Sequence, residues 1–172
     1  MITYKKGNLF DNLSKDKMNL VLHVNNNIGA WGAGFVVSIT NRVGENPYRM
    51  YSQWYKNGYY NSPNKNKIPF ELGQIQVAAT NDKNTYICNM IAQNGCGHQT
   101  FKIGNKKVDY PPFRPDSFRE CIYRVAEKIY GKDINLVSPL MGCGLSGSSK
   151  EVVFGIVDEV FGNNIDLTVW EL

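Results

Sequence analysis

The four cysteines, Cys88, Cys96, Cys121 and Cys143, contain no CxxC pair and no zinc-ligand spacing. No structural metal is therefore expected, and the thiols read as free ones of a reducing compartment. No apolar run approaches the roughly 20 residues of a membrane span, so no membrane partner is expected. The start, MITYKKGNLF, lacks the apolar stretch of a secretory signal, which points to the cytoplasm. GxxxxGK[ST], HExxH and GxSxG are all absent, which removes the phosphate-lysine loop, the zinc hydrolase helix and the nucleophile elbow, and a classical dinucleotide site is not expected. Charge of one sign is not concentrated either. Nineteen Lys and Arg face fifteen Asp and Glu, a net +4, and the bases are scattered at Lys5–Lys6, Lys65 and Lys67, and Lys106–Lys107. A duplex-binding domain shows a basic stripe, so no stable nucleic-acid partner is expected. The mild excess does suit a small anionic ligand.

The 172 residues, 42% of them hydrophobic, are enough for a proper core and few enough for one domain, 1–172. Two stretches rich in Asn, Gly, Pro and Lys, about 57–69 and 94–115, read as insertions in that domain. The ordered pieces alternate in type. Strands are expected at Ile2–Lys5, Leu20–Val24, Gln74–Ala79, Thr85–Ile91, Ile134–Val137 and Ile165–Trp170, the third and fourth forming a hairpin around NDKN. Helices are expected at Gly32–Val43, at Pro47–Lys56 with Asn46 as N-cap, and from Pro115 or Asp116 to Ile129. The last helix, Ser149–Phe161, should line up Val152, Ile156 and Val160. Strands alternating with helices give an α/β domain with a mixed sheet covered on both faces.

In such sheets ligands bind beyond the carboxyl ends of the strands, where loops enter helices. Two loops fit. NNNIGAWGAGF (Asn25–Phe35) follows the strand LVLHV, and GCGLSGSS (Gly142–Ser149) follows INLVSPLM. Both are glycine-rich, so main-chain N–H groups can approach an anion closely, aided by a helix N-terminus. Together they suggest jaws around a diphosphate.

At these loops the sequence resembles a macrodomain, the module that binds ADP-ribose. ITYKKGNLF resembles the family's first strand and Gly-Asp-(Ile/Leu) turn. LHVNNNIGAWGAGF resembles the first ligand loop of the branch holding the terminal ADP-ribose glycohydrolases and the small ADP-ribose 1''-phosphate phosphatases. CNMIAQNG resembles the central strand and loop, PLMGCGLSG the Pro-x-Ile-Gly-Cys-Gly-Leu loop, and LTVWEL the closing strand. The resemblance implies a three-layer α/β/α macrodomain-like fold with a central mixed sheet. It implies ADP-ribose or ADP-ribose 1''-phosphate as partner, no cofactor, and a monomer. Asn8, in the place of the family's acidic residue, would accept the adenine amino group, with Leu9 beside it and Leu172 or Trp170 at the same end. Gly29, Trp31, Gly32, Ala33, Gly34 and Phe35 would wrap the diphosphate and distal ribose. Asn25, Asn26 and Asn27 would line the distal ribose. Gly142, Cys143, Gly144, Leu145 and Ser146 would close over the diphosphate.

Catalysis is the open point. Where the glycohydrolases of this branch carry Lys and Asp, this chain has Gln93 and Ser146, so neither an amine nucleophile nor a carboxylate is available there. The phosphatase relatives carry a His at the place of His23, and a near-neutral imidazole there would transfer protons, with Asn25 or Asn26 orienting the phosphate. His23 is equally readable as a structural residue on a buried strand. Cys143 would be a nucleophile only with a lowered pKa, and packing is its preferred role. His98 is a weaker ligand candidate. The favoured expectation is an ADP-ribose 1''-phosphate phosphatase. The alternatives are a non-catalytic binder of ADP-ribose and, third, a hydrolase acting on ADP-ribosylated protein or nucleic acid. Phe101, Tyr110 and Phe113 of the second insertion either cover the pocket or pack the loop onto the surface, the latter preferred.

Overall fold

The computed structural model describes residues 1–172, apart from the side chain of Leu145. In chain order it contains β1 (Ile2–Lys6), β2 (Met18–Asn26), α1 (Phe35–Val43), α2 (Asn46–Asn57), β3 (Tyr59–Asn61), β4 (Lys67–Pro69), β5 (Ile75–Ala79), β6 (Thr85–Gln93), β7 (Gln99–Ile103), β8 (Lys106–Tyr110), α3 (Pro115–Ile129), β9 (Ile134–Ser138), α4 (Lys150–Phe161) and β10 (Leu167–Glu171). Short 3-10 turns occupy Leu9–Asp11 and Gly144–Ser146. Six strands form one sheet in the order β1-β10-β9-β2-β6-β5. Every pairing in it is parallel except that of β5 with β6, the expected hairpin.

β2 lies between two parallel neighbours, and its residues are buried almost without interruption. That is the pattern of a strand covered on both faces. Alternate side chains go to two different cores. Leu20 and Leu22 join Cys88 and Met90 of β6 against Phe118, Ile122 and Val125 of α3 and Val153 and Val157 of α4. Val21 joins Ile87 and Val137 against Ile39 and Val43 of α1 and Leu9 and Phe10 of the first turn. The expected three layers are therefore present, with helices on each side of the sheet.

Three boundaries differ from the sequence reading. α1 begins at Phe35, not Gly32, because Gly34 is the N-cap with φ +83°, outside helical space. Asn46 is already helical and does not cap α2; its amide donates instead to the Ala79 carbonyl (2.8 Å), tying the helix to β5. On α4 the buried row is Val153, Phe154, Ile156, Val157 and Phe161, while Val152 is 45% exposed. Ser149 caps the Val152 N–H, and the heavier apolar row one residue on takes the sheet.

Each insertion contains a small antiparallel hairpin that the sequence reading did not mark, β3–β4 in the first and β7–β8 in the second. Phe113 is neither pocket cover nor surface packing. It is 3% exposed, with its ring 5.3 Å from that of Phe118.

The phase of α4 is checked by two substitutions. Val153→Ala should cost about 2 kcal/mol in urea unfolding, whereas Val152→Ala should change stability by less than about 0.5 kcal/mol. Equal losses would restore the row read from sequence.

Candidate functional site

Because β6, β2 and β9 run parallel, their carboxyl ends finish side by side. A cavity of about 430 Å³ opens there, lined by the end of β2 from His23 to Asn26, the first loop, Gln93, Cys96 and the second loop from Pro139. The volume is ordinary for a small-molecule site. Among the described residues, no Lys, Arg, Asp or Glu lines it. Any charged ligand must therefore be met by main-chain groups and neutral side chains.

The N-terminus of α1 supplies such groups. Gly34 brings no side-chain cap, and Phe35 and Val36, whose N–H groups have no partner inside the helix, line the cavity. The start of α4 is different, since Ser149 Oγ accepts the Val152 N–H (3.2 Å). The open helix end is the one at the cavity.

The three consecutive asparagines divide their roles. Asn26 is engaged at both ends: its Oδ1 accepts from the N–H groups of Ile28 and Ala30 and from Tyr51 Oη, and its Nδ2 donates to the Ala30 carbonyl. It therefore shapes the first loop. Asn27 donates to Asn94 Oδ1 (2.8 Å) and accepts from the Gly95 N–H (2.9 Å), binding that loop to the one after β6. Asn25 alone has nothing. It is 3% exposed and lines the cavity, and neither its Oδ1 nor its Nδ2 has a partner. Among the described residues the Ser138 hydroxyl is the other unpartnered buried side-chain group, but it does not line the cavity. Buried amides are rarely left unmatched, and Asn25 presents a free donor and a free acceptor together.

His23 is buried, in edge-to-face contact with Trp31 (5.5 Å). Its Nε2 lies 2.6 Å from Asn89 Oδ1. The direction of that bond follows from its far end. Gln76 Nε2 donates to the Met50 carbonyl, so Gln76 Oε1 accepts from Asn89 Nδ2, which also donates to the Pro47 carbonyl. Carbonyls only accept, so Asn89 Oδ1 faces the ring and Nε2 carries the proton. Nδ1 is left as a lone pair. Burial pushes the imidazole pKa down to about 4, against the bond from Asn89 that favours the charged form. The near-neutral acid–base residue expected from sequence is thus a neutral ring at pH 7.

The second loop is held from below. Gln93 Oε1 accepts from Ser146 Oγ (2.7 Å), and Gln93 Nε2 donates to the Gly95 carbonyl. The two residues standing in place of Lys and Asp are bonded to each other. Gly142 has φ +74°, and a Cβ there would come within 2.9 Å of Phe113 and Val153, so this glycine is fixed by packing as well as conformation. Gly144 belongs to the 3-10 turn, and the Leu145 side chain lies outside the described residues. Burial, reinforced by Glu151, raises the Cys143 thiol rather than lowering it, which removes the condition for a nucleophile.

Gly32, Ala33, Gly34, Phe35, Gln93, Gly142, Cys143 and Ser146 all line the cavity, with His23, Asn25 and Asn26. Others do not reach it. Asn8 Oδ1 caps the first turn by accepting the Phe10 N–H (2.9 Å), and Leu9 is in the core. Trp31 packs on His23 and donates to Thr40 Oγ1, and Gly29 lies against Tyr55. Trp170 is half-buried near Gly7, and Leu172 is exposed. His98 pairs with Asp109 (3.1 Å) on the second insertion. Missed from sequence were Cys96 and the Pro139–Met141 wall. Asn89 and Gln76 were missed as well, although polar residues inside apolar strands are a readable signal.

No protein-family model and no curated protein matches this chain. Solved structures do. A protein of unknown function from Bacteroides thetaiotaomicron is 29% identical, with 100% of this chain and 98% of that one covered and a TM-score of 0.80. A macrodomain protein from Streptomyces coelicolor is 23% identical, covering 100% and 99%, at a TM-score of 0.73. A Trypanosoma brucei macrodomain in complex with ADP-ribose is 10% identical, covering 98% and 63%, at a TM-score of 0.59.

The His23 arrangement has a pH signature. Its folded pKa of about 4 lies below the ordinary 6.5, so the unfolded chain binds more protons between those values. Its contribution is complete above about pH 6.5 and is lost as pH falls toward 4. Between pH 7 and pH 5 the loss should be about 2 kcal/mol, seen in urea unfolding and missing from His23→Gln. A ring titration by NMR centred near 6.5 would contradict it.

Proposed function

From a chain with the macrodomain fold and an uncharged cavity, we propose a site for ADP-ribose that binds without turning it over. The observation that carries the reading is the pairing of two neutral devices in one cavity: the uncapped end of α1 and the unpartnered Asn25 amide. The first suits a diphosphate, which accepts N–H bonds and is favoured by the helix dipole. The second suits sugar hydroxyls, each both donor and acceptor. A phosphate would satisfy Asn25 Nδ2 but leave Oδ1 facing an anion. The bound ADP-ribose of the Trypanosoma brucei macrodomain supports the ligand class. In this proposal Gly32–Phe35 and Gly142–Ser146 close over the diphosphate, while adenine lies toward Asn8, Leu9 and Leu172. The Asn8 oxygen keeps a second lone pair for the adenine amino group.

Binding is favoured over hydrolysis by what lines the cavity. Gln93 and Ser146 satisfy each other, burial raises the Cys143 thiol, and among the described residues no carboxylate or amine lines the cavity. A second reading, removal of the phosphate of ADP-ribose 1''-phosphate, has one observation in its favour. His23 lines the cavity with Nδ1 unoccupied, and a phosphate dianion beside it would raise its affinity for a proton.

Calorimetry should show binding of ADP-ribose, with a stabilisation of about 2.7 kcal/mol at 100 times the dissociation constant. Asn25→Leu should weaken ADP-ribose roughly tenfold or more while leaving ADP nearly unchanged. The same variant should not lower the melting temperature of the free protein, since it removes an unsatisfied amide. Absence of any heat with ADP-ribose would sink the proposal. Phosphate release from ADP-ribose 1''-phosphate that disappears in His23→Gln would establish the second reading instead.

A further inference from the structure

The β7–β8 hairpin carries an apolar face that no other element covers. Its register pairs Phe101 with Val108, Gln99 with Tyr110 and Ile103 with Lys106, so Phe101, Ile103, Val108 and Tyr110 share one side. Phe101 and Tyr110 are each 50% exposed and Ile103 69%, and the two rings meet edge to face at 5.8 Å. With Lys102 and Arg114 these four line a groove of about 410 Å³ that contains no acidic residue. Arg114 Nη1 donates to the Pro111 and Pro112 carbonyls and Nη2 to Gln99 Oε1, with the guanidinium 5.2 Å from the Tyr110 ring, so its charge has no carboxylate opposite and N–H donors remain. Lys106 and Lys107 stand at the turn. The hairpin's one acid, Asp109, is paired with His98.

Half-exposed rings beside unopposed cations call for a partner with flat apolar faces and repeated negative charge. A second copy of this chain does not fit, because it would set Lys102, Lys106 and Arg114 against their own like charges. A duplex hides its base faces. We propose that this hairpin is a platform for single-stranded nucleic acid, with bases stacking on Phe101 and Tyr110 and phosphates meeting Lys102, Lys106 and Arg114. The scatter of bases along the sequence argues against a stable nucleic-acid partner, yet the register sets Lys102 opposite Lys107 with Lys106 next to it at the turn, and Arg114 lies over Tyr110 at the other end of the hairpin. Three or four phosphate contacts make the association weak and salt-sensitive, with a log–log slope of about −2 to −3. The groove shares no lining residue with the cavity, so the platform does not depend on what the cavity holds.

The test is fluorescence anisotropy of the full chain with labelled oligothymidine and oligouridine in low salt. Binding in the micromolar to sub-millimolar range is expected. Phe101→Ala/Tyr110→Ala should weaken it roughly tenfold or more with an unchanged melting curve, and Lys106→Glu/Lys107→Glu should flatten the salt slope. ADP-ribose calorimetry on the same variants reports separately on the cavity. No binding of either oligonucleotide overturns the proposal. So does binding that survives loss of both rings, which would be charge attraction alone, or equal displacement by polyglutamate, which would mark an acidic polypeptide as the partner.

Discussion

Parallel pairing of β2 with a neighbour on each side is the constraint from which the site follows. It buries β2 on both faces, fixes the register of β6 and β9, and delivers three carboxyl ends to one place. Polar residues at the end of such a strand have no water to fall back on. Between Asn25 and Asn26 the pairing with β6 skips Ala92. Such an irregularity re-aims side chains at the edge of a ladder, and it brings Gln93 level with Asn26. From that point the loops on both sides are held by side-chain amides rather than by the sheet.

The chain from His23 through Asn89 and Gln76 to two helix carbonyls shows how a buried polar group is accommodated. Each amide has only one orientation that satisfies both ends, so the imidazole tautomer is dictated two residues away, by Met50 and Pro47 of α2. Asn25 is the exception on the same strand. Two residues beyond His23, with the same burial, it is left without partners. A fold that satisfies Asn26, Asn27, Asn89 and Gln76 and not Asn25 leaves one side-chain amide unmatched in the cavity.

Much of this was legible beforehand. Apolar periodicity marked the main helices and the buried strands of the sheet, because each is either two-faced or fully buried, and it also placed the exposed edge strand β1. The glycine loops marked the crevice, because only glycine turns so sharply at Gly34 and Gly142. The phase of α4 was not legible: Val152 and Val153 are equally apolar, and only contact with the sheet separates them. Nor were the hairpins, whose short polar strands carry no clear period. The division of labour among Asn25, Asn26 and Asn27 was hidden for another reason. Three identical side chains in a row differ only in what surrounds them, and Tyr51, Asn94 and Gly95 are distant in sequence.

A cavity without a charged wall has a consequence for descent. Its open donors at the start of α1 belong to the peptide backbone, which every residue type but proline supplies alike. Side chains around it can drift without removing those donors, provided the loop conformation is inherited. What selection must preserve is a path of the chain rather than a list of letters. That is why such a crevice can outlast almost all resemblance between two sequences that still share it.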